Sequence, residues 1–94
     1  MPPIEDYVKH ADTLAQDVIN AWGINMQAGN GEYLNREFKS LVNKSSDYRI
    51  AKRTAENWRS VGIPTEAVDA EVEVKRRAFV HAYKNYWEKR NPST

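Results

Sequence analysis

Apolar residues recur at three- and four-residue spacing in four stretches of the chain, which is the periodicity of amphipathic α-helices. The spacing predicts helices over about residues 3–22, 32–42, 46–62 and 65–87, and the pattern predicts no strand. We therefore expect an all-α domain of four helices. Residues 1–90 should form this single domain, and residues 91–94 a disordered tail.

Residues at the helix ends support these boundaries. Gly23 suits the left-handed position after the first helix, and residues 27–31 read as a flexible connection. Ser45 or Ser46 can cap the start of the third helix, and Gly62 followed by Ile63 and Pro64 predicts its end.

The third helix has two contrasting faces. We expect its apolar residues to form a buried seam, namely Ile50, Ala51, Thr54, Ala55, Trp58 and Val61. Most of its polar and basic residues lie elsewhere around the helix, so they should face solvent or a ligand.

Charge is distributed unevenly, although the net charge of the 94 residues is only +1. Residues 1–35 hold one basic residue against five acidic ones, whereas residues 36–61 hold seven basic residues against three acidic ones. A basic excess of this size can attract phosphate, and it can equally be an ordinary solvated surface.

The absence of cysteine excludes disulfides, thiolate nucleophiles and cysteine metal sites. The N-terminus has neither a basic start nor an apolar signal-peptide core, and no apolar run approaches the roughly 20 residues that span a bilayer. We expect a soluble, cytoplasmic protein without a membrane partner.

The connection at residues 43–46 is short enough for the second and third helices to form a helix-turn-helix-like unit. In that geometry the third helix enters the major groove of duplex DNA. Arg49, Arg53 and Asn57 are spaced to share one face and suit base recognition, because Arg pairs with guanine and Asn with adenine. The expected phosphate contacts are Lys39, Lys44, Lys52 and Arg59.

Two segments carry a resemblance to known DNA-binding families. Residues 41–48 (LVNKSSDY) resemble the turn of partition-protein and phage-regulator helix-turn-helices. Residues 54–64 (TAENWRSVGIP) resemble the end of the recognition helix in Cro-like phage regulators and phage terminase small subunits. The resemblance implies a small DNA-binding regulator of transcription, of phage or plasmid type, that acts as a dimer.

Two other functions stay open. The same residues fit a plain helical bundle that docks a partner protein or inhibits one, through aromatic surface such as Tyr86 or Trp87. Residues 76–83 (RRAFVHAY) resemble the motif of helical HEPN ribonucleases, which implies that Arg76 steadies phosphate charge and His81 transfers protons.

We expect no metal, cofactor or catalytic residue in the protein. His10 has Asp6 one helical turn away, but two ligands do not make a zinc site, and His81 lies on a different helix. The glycine-containing segment at residues 28–31 lacks the lysine of a phosphate-binding loop. The preferred function is therefore DNA binding without catalysis.

Overall fold

The computed structural model describes residues 3–27 and 36–90, and these residues form four helices without a strand. The helices are α1 (Ile4–Lys9), α2 (Ala11–Gln27), α3 (Arg36–Ser60) and α4 (Glu66–Arg90). The predicted all-α class with four helices is confirmed, although the boundaries differ. Of the predicted connection at residues 27–31, Gln27 belongs to α2 instead. Residues 28–31, the first residues of the predicted second helix and the tail at 91–94 lie outside the described residues.

The predicted first helix is two helices, because the backbone leaves the helical conformation at His10, with φ −108° and ψ 19°. Tertiary contacts explain this break. The Tyr7 ring lies 5.9 Å from the Tyr83 ring, and Arg77 lies 3.3 Å from Glu5, so α1 packs on α4 while α2 packs on α3. The predicted end at Gly23 is also wrong, since α2 continues through this glycine, at a typical cost of about 1 kcal/mol relative to alanine.

The predicted helix-turn-helix turn is absent, because residues 43–46 lie inside the continuous helix α3. Ser45 is fully buried and its hydroxyl donates to the carbonyl oxygen of Ala15 on α2 at 2.9 Å, so it is an interhelical contact rather than a helix cap. The buried residues of α3 keep helical spacing through this stretch, namely Phe38, Leu41, Val42, Ser45, Tyr48 and Ala55. One uninterrupted seam favours one uninterrupted helix.

Helices α3 and α4 form a long antiparallel hairpin. Phe38 packs against Tyr86, Tyr48 against Phe79, and Arg59 pairs with Asp69, so residue numbers rise on one helix as they fall on the other. Gly62 ends α3 as predicted, with φ +80°. The amide of Gly62 donates to Arg59 and that of Ile63 to Trp58, which is the Schellman arrangement of a glycine-terminated helix.

The predicted apolar seam of the third helix is correct at Ala55, which is buried, and at Ala51, which packs partly buried against the core, but it is wrong at Ile50, Trp58 and Val61. Ile50 is 64% exposed, Val61 69% and Trp58 38%, whereas Tyr48 is 1% exposed and Ala55 is buried. The buried face of α3 is rotated around the helix axis from the stripe of Ile50, Trp58 and Val61. It is buried because α2 and α4 cover this face and not that stripe. In the described residues no helix is long and apolar enough to cross a membrane.

Candidate nucleic-acid interface

All seven predicted DNA-binding residues lie on the single helix α3. Lys39, Lys44, Arg49, Arg53, Asn57 and Arg59 are exposed, and Lys52 is half-buried. The structure separates these residues into those engaged by other helices and those that are not.

Lys52 and Arg59 are engaged within the chain. The Lys52 ammonium pairs with the Asp12 carboxylate on α2. The Arg59 guanidinium lies 3.0 Å from Asp69 Oδ1 and 3.2 Å from Oδ2 on α4. A phosphate would have to compete with these carboxylates, so both side chains are better placed to fix helices than to hold a ligand.

The remaining basic side chains of α3 form no ion pair with any described residue. They are Arg36, Lys39, Lys44, Arg49 and Arg53. On α4 the opposite holds, since every basic side chain of residues 66–89 is paired with a carboxylate: Lys75, Arg76, Arg77, Lys84 and Lys89. Uncompensated positive charge in the described structure is therefore concentrated on α3.

The three predicted base-reading residues share one groove between α2 and α3, with a volume of about 700 Å³. Arg49, Arg53 and Asn57 lie on its α3 wall, and Asp12, Gln16 and Ile19 on its α2 wall. The sequence indicated the α3 wall through its four-residue spacing. It carried no signal for the α2 wall, because that wall depends on how two distant helices pack.

A polar cluster beside this groove was also missed by sequence reasoning. The Tyr48 hydroxyl donates to Asp12 Oδ1 and accepts from Arg76 Nε at 3.2 Å, and Arg76 also binds Glu73 at 2.6 Å. With Lys52 bound to Asp12, the cluster joins α2, α3 and α4. We call Asp12, Tyr48, Lys52, Glu73 and Arg76 the polar cluster.

Interactions inside the polar cluster shift the ionisation of its members. Burial alone would raise the pKa of the Asp12 carboxyl, but hydrogen bonds from Lys52 and Tyr48 outweigh it and hold that pKa below its ordinary value. Burial and the hydrogen bond to Asp12 raise the pKa of the Tyr48 hydroxyl. The hydrogen bond to Asp12 raises the pKa of Lys52. These shifts favour an anionic Asp12 beside a neutral Tyr48 and a cationic Lys52.

The residues proposed for a ribonuclease are not brought together by a hydrogen bond in the described structure. Arg76 turns toward Tyr48 and Glu73, whereas His81 is exposed. Five residues along one helix separate the two side chains by about 140° around its axis. Within residues 3–27 and 36–90, no three acidic or histidine side chains form a group that could hold a metal ion.

No protein-family model, curated protein or solved structure matches the chain. The resemblance to phage regulators therefore stays a prediction from residues 41–48 and 54–64.

Proposed function

We propose that the protein binds nucleic acid through the exposed basic surface of α3. One observation carries the proposal. Among the described lysine and arginine side chains, all that lack an ion pair lie on α3 except Lys9, whereas every lysine and arginine of residues 66–89 on α4 is paired with a carboxylate. An unpaired cation can bind phosphate without breaking an internal contact. Each such contact also releases counterions from the nucleic acid, which favours binding at low salt.

Arg49 and Arg53 are the principal phosphate contacts in this proposal. They are exposed, they lie four residues apart, and they line the groove together with the Asn57 amide. Lys39 lies about 40° from Arg53 around the helix and extends the positive charge on that side, whereas Lys44 lies about 180° away. Lys52 and Arg59 position α3 through Asp12 and Asp69 instead of binding the ligand.

The mode of binding differs from that of a helix-turn-helix protein, because no turn precedes the basic half of α3. A role in regulating transcription, and an origin in a phage or plasmid, rest only on the sequence resemblance. Binding itself rests on charge and exposure, so it can be tested without knowing a target sequence.

A fluorescence-anisotropy titration with labelled mixed-sequence DNA tests the proposal, at about 20 mM and about 200 mM salt. We expect binding at low salt that weakens steeply at the higher salt. The double variant Arg49→Ala, Arg53→Ala should lose most of this affinity. The matched control is Arg77→Ala with Lys89→Ala, which removes the same charge from paired residues of α4. Absence of binding at low salt would refute the proposal.

Docking of a partner protein is the second candidate function, favoured by an exposed apolar patch where α3 meets α4. Trp58, Val61 and Ile63 are exposed at this end of the hairpin, although each was expected in the core or in a plain connection. Exposed apolar groups that lie together indicate an interaction site more often than single ones do. The partner would be a protein with an apolar surface, and Val61→Asp should abolish its binding without altering nucleic-acid affinity.

A further inference from the structure

The shape of the α2–α3 groove narrows the class of nucleic acid that it can hold. Arg49, Arg53 and Asn57 do not project from an isolated helix, because α2 supplies the opposite wall through Asp12, Gln16 and Ile19. Packed helices lie about 8–10 Å apart, and each is about 10–12 Å wide with its side chains. The pair is therefore roughly 20 Å wide, whereas the major groove of duplex DNA is about 12 Å wide.

These dimensions argue against base reading in a duplex by the three predicted residues. If α3 approached the major groove through this face, α2 would meet the sugar-phosphate backbone first. Duplex bases also present only their edges, since their faces are stacked on one another. A nucleic acid that enters this concave groove must instead be a narrow and flexible strand.

The lining chemistry suits both parts of an unpaired nucleotide. The Arg49 and Arg53 guanidinium groups can bind phosphate, and their planes can also stack on bases. Asn57 and Gln16 offer amides for base edges, and Ser46 offers a hydroxyl. Ile19 and Ile50 provide apolar surface for base faces.

The net charge of the groove lining is positive, although two acidic residues belong to it. Asp12 and Glu56 line it together with Arg49, Lys52 and Arg53, which gives three basic residues against two acidic ones. Lys52 already neutralises Asp12. The phosphates would therefore lie against Arg49 and Arg53, which form no ion pair with a described residue.

We propose that the α2–α3 groove binds single-stranded nucleic acid in preference to duplex. This inference rests on the proposed function and deepens it by naming the ligand class. From Ser46 to Asn57 the α3 wall is about 16 Å long at 1.5 Å per residue. At the 3.4 Å spacing of phosphates along a stacked strand, it accommodates at most about five nucleotides.

The test compares a labelled 20-nucleotide mixed-sequence DNA with the same strand annealed to its complement, at equal salt, by fluorescence anisotropy. We expect the single strand to bind at least about tenfold more tightly. Equal or tighter binding of the duplex would overturn the groove assignment while leaving the proposed function standing. Absence of salt-sensitive binding to both would refute the proposed function itself.

A variant on the α2 wall tests whether the strand lies in the groove. Gln16→Glu places a negative charge opposite Arg49 and Arg53 and should weaken single-strand binding at least fivefold. Asn20→Asp adds the same charge to an exposed position of α2 outside the groove lining and should change affinity less than twofold. Circular dichroism melts verify that both variants fold. Equal effects of the two substitutions would overturn the placement.

Discussion

The hydroxyl of Tyr48, on α3, donates a hydrogen bond to the Asp12 carboxylate, on α2. Tyr48 is almost wholly buried, and its ring packs with Phe79 at a centroid distance of 6.3 Å. A single tyrosine therefore anchors the core by its ring and α2 by its hydroxyl. Because Asp12 also binds Lys52, this contact sets the position of the α2 wall beside the groove.

Asp12→Ala should destabilise the fold by about 1–3 kcal/mol, because the buried Tyr48 hydroxyl loses its acceptor and Lys52 loses its counter-ion. Urea unfolding followed by circular dichroism measures the change. Asp17→Ala removes an exposed carboxylate from the same helix, which pairs with no described basic residue, and should cost less than about 0.5 kcal/mol. Equal costs would show that the polar cluster does not stabilise the protein.

The Asp12 contribution should vanish in acid. Since the pKa of Asp12 in the folded protein is below its ordinary value of 3.8, its stabilisation is complete above that pH and is lost as pH falls through the lower folded value. The comparison is between urea midpoints of the native protein and of Asp12→Asn from pH 2 to pH 6. We expect the difference between them to shrink at the acid end, and a constant difference would contradict the ionic contact.

The stability of the fold should also fall at alkaline pH. The pKa values of Tyr48 and Lys52 are raised from their ordinary values of 10.0 and 10.5, so their stabilisation is complete below pH 10 and is lost as pH rises through the folded values. Burial raises the pKa of Tyr83 as well, so tyrosine absorbance near 295 nm during an alkaline titration should show late ionisation of both Tyr48 and Tyr83. In Tyr48→Phe the late component should lose one tyrosine, while that of Tyr83 remains.

Helix continuity at residues 43–46 can be tested at the exposed Asn43. In the middle of a helix, Asn43→Ala should be more stable than Asn43→Gly by about 1 kcal/mol, because glycine loses more backbone freedom on folding. A turn residue with positive φ would give the reverse order. Thermal melts of the two variants therefore distinguish one long helix from a helix-turn-helix.

Trp58→Ala should lower the free energy of unfolding by less than about 2 kcal/mol, because Trp58 is 38% exposed at the end of the hairpin. Phe79→Ala, at a fully buried position, should cost about 3–5 kcal/mol. Chemical unfolding of both variants measures the contrast. A Trp58 cost equal to that of Phe79 would place the tryptophan in the core.

Arg53→Ala should weaken nucleic-acid binding by roughly 1–3 kcal/mol and lower the salt slope by about 0.7–0.9, the loss of one phosphate contact. Its melting temperature should stay nearly unchanged, because Arg53 forms no ion pair with a described residue. Lys52→Ala should show the reverse pattern, with lower stability and a smaller effect on binding. Anisotropy titrations over a salt series, with melts of the same samples, test both.

By itself the sequence determined the features that depend on near neighbours. Helical periodicity arises between residues three and four apart, and the stop at Gly62 needs only a left-handed residue after α3. The concentration of basic residues on α3, and the four-residue spacing of Arg49, Arg53 and Asn57, were likewise readable from the sequence. These features identified the α3 wall of the groove.

Tertiary packing decided which face of α3 is buried. The face of α3 that contacts α2 and α4 includes the buried Ser45, the half-buried Lys52 and the exposed Arg59, and in sequence these polar residues all look like surface. Each has a polar partner on another helix, and these partners are Ala15, Asp12 and Asp69, respectively. The partners satisfy the polar groups that packing brings out of water. The more apolar stripe of Ile50, Trp58 and Val61 stays outside because neither α2 nor α4 covers it. Tertiary packing likewise decided the helical continuity at residues 43–46, the break at His10 and the α2 wall of the groove, since each depends on residues far apart in the chain.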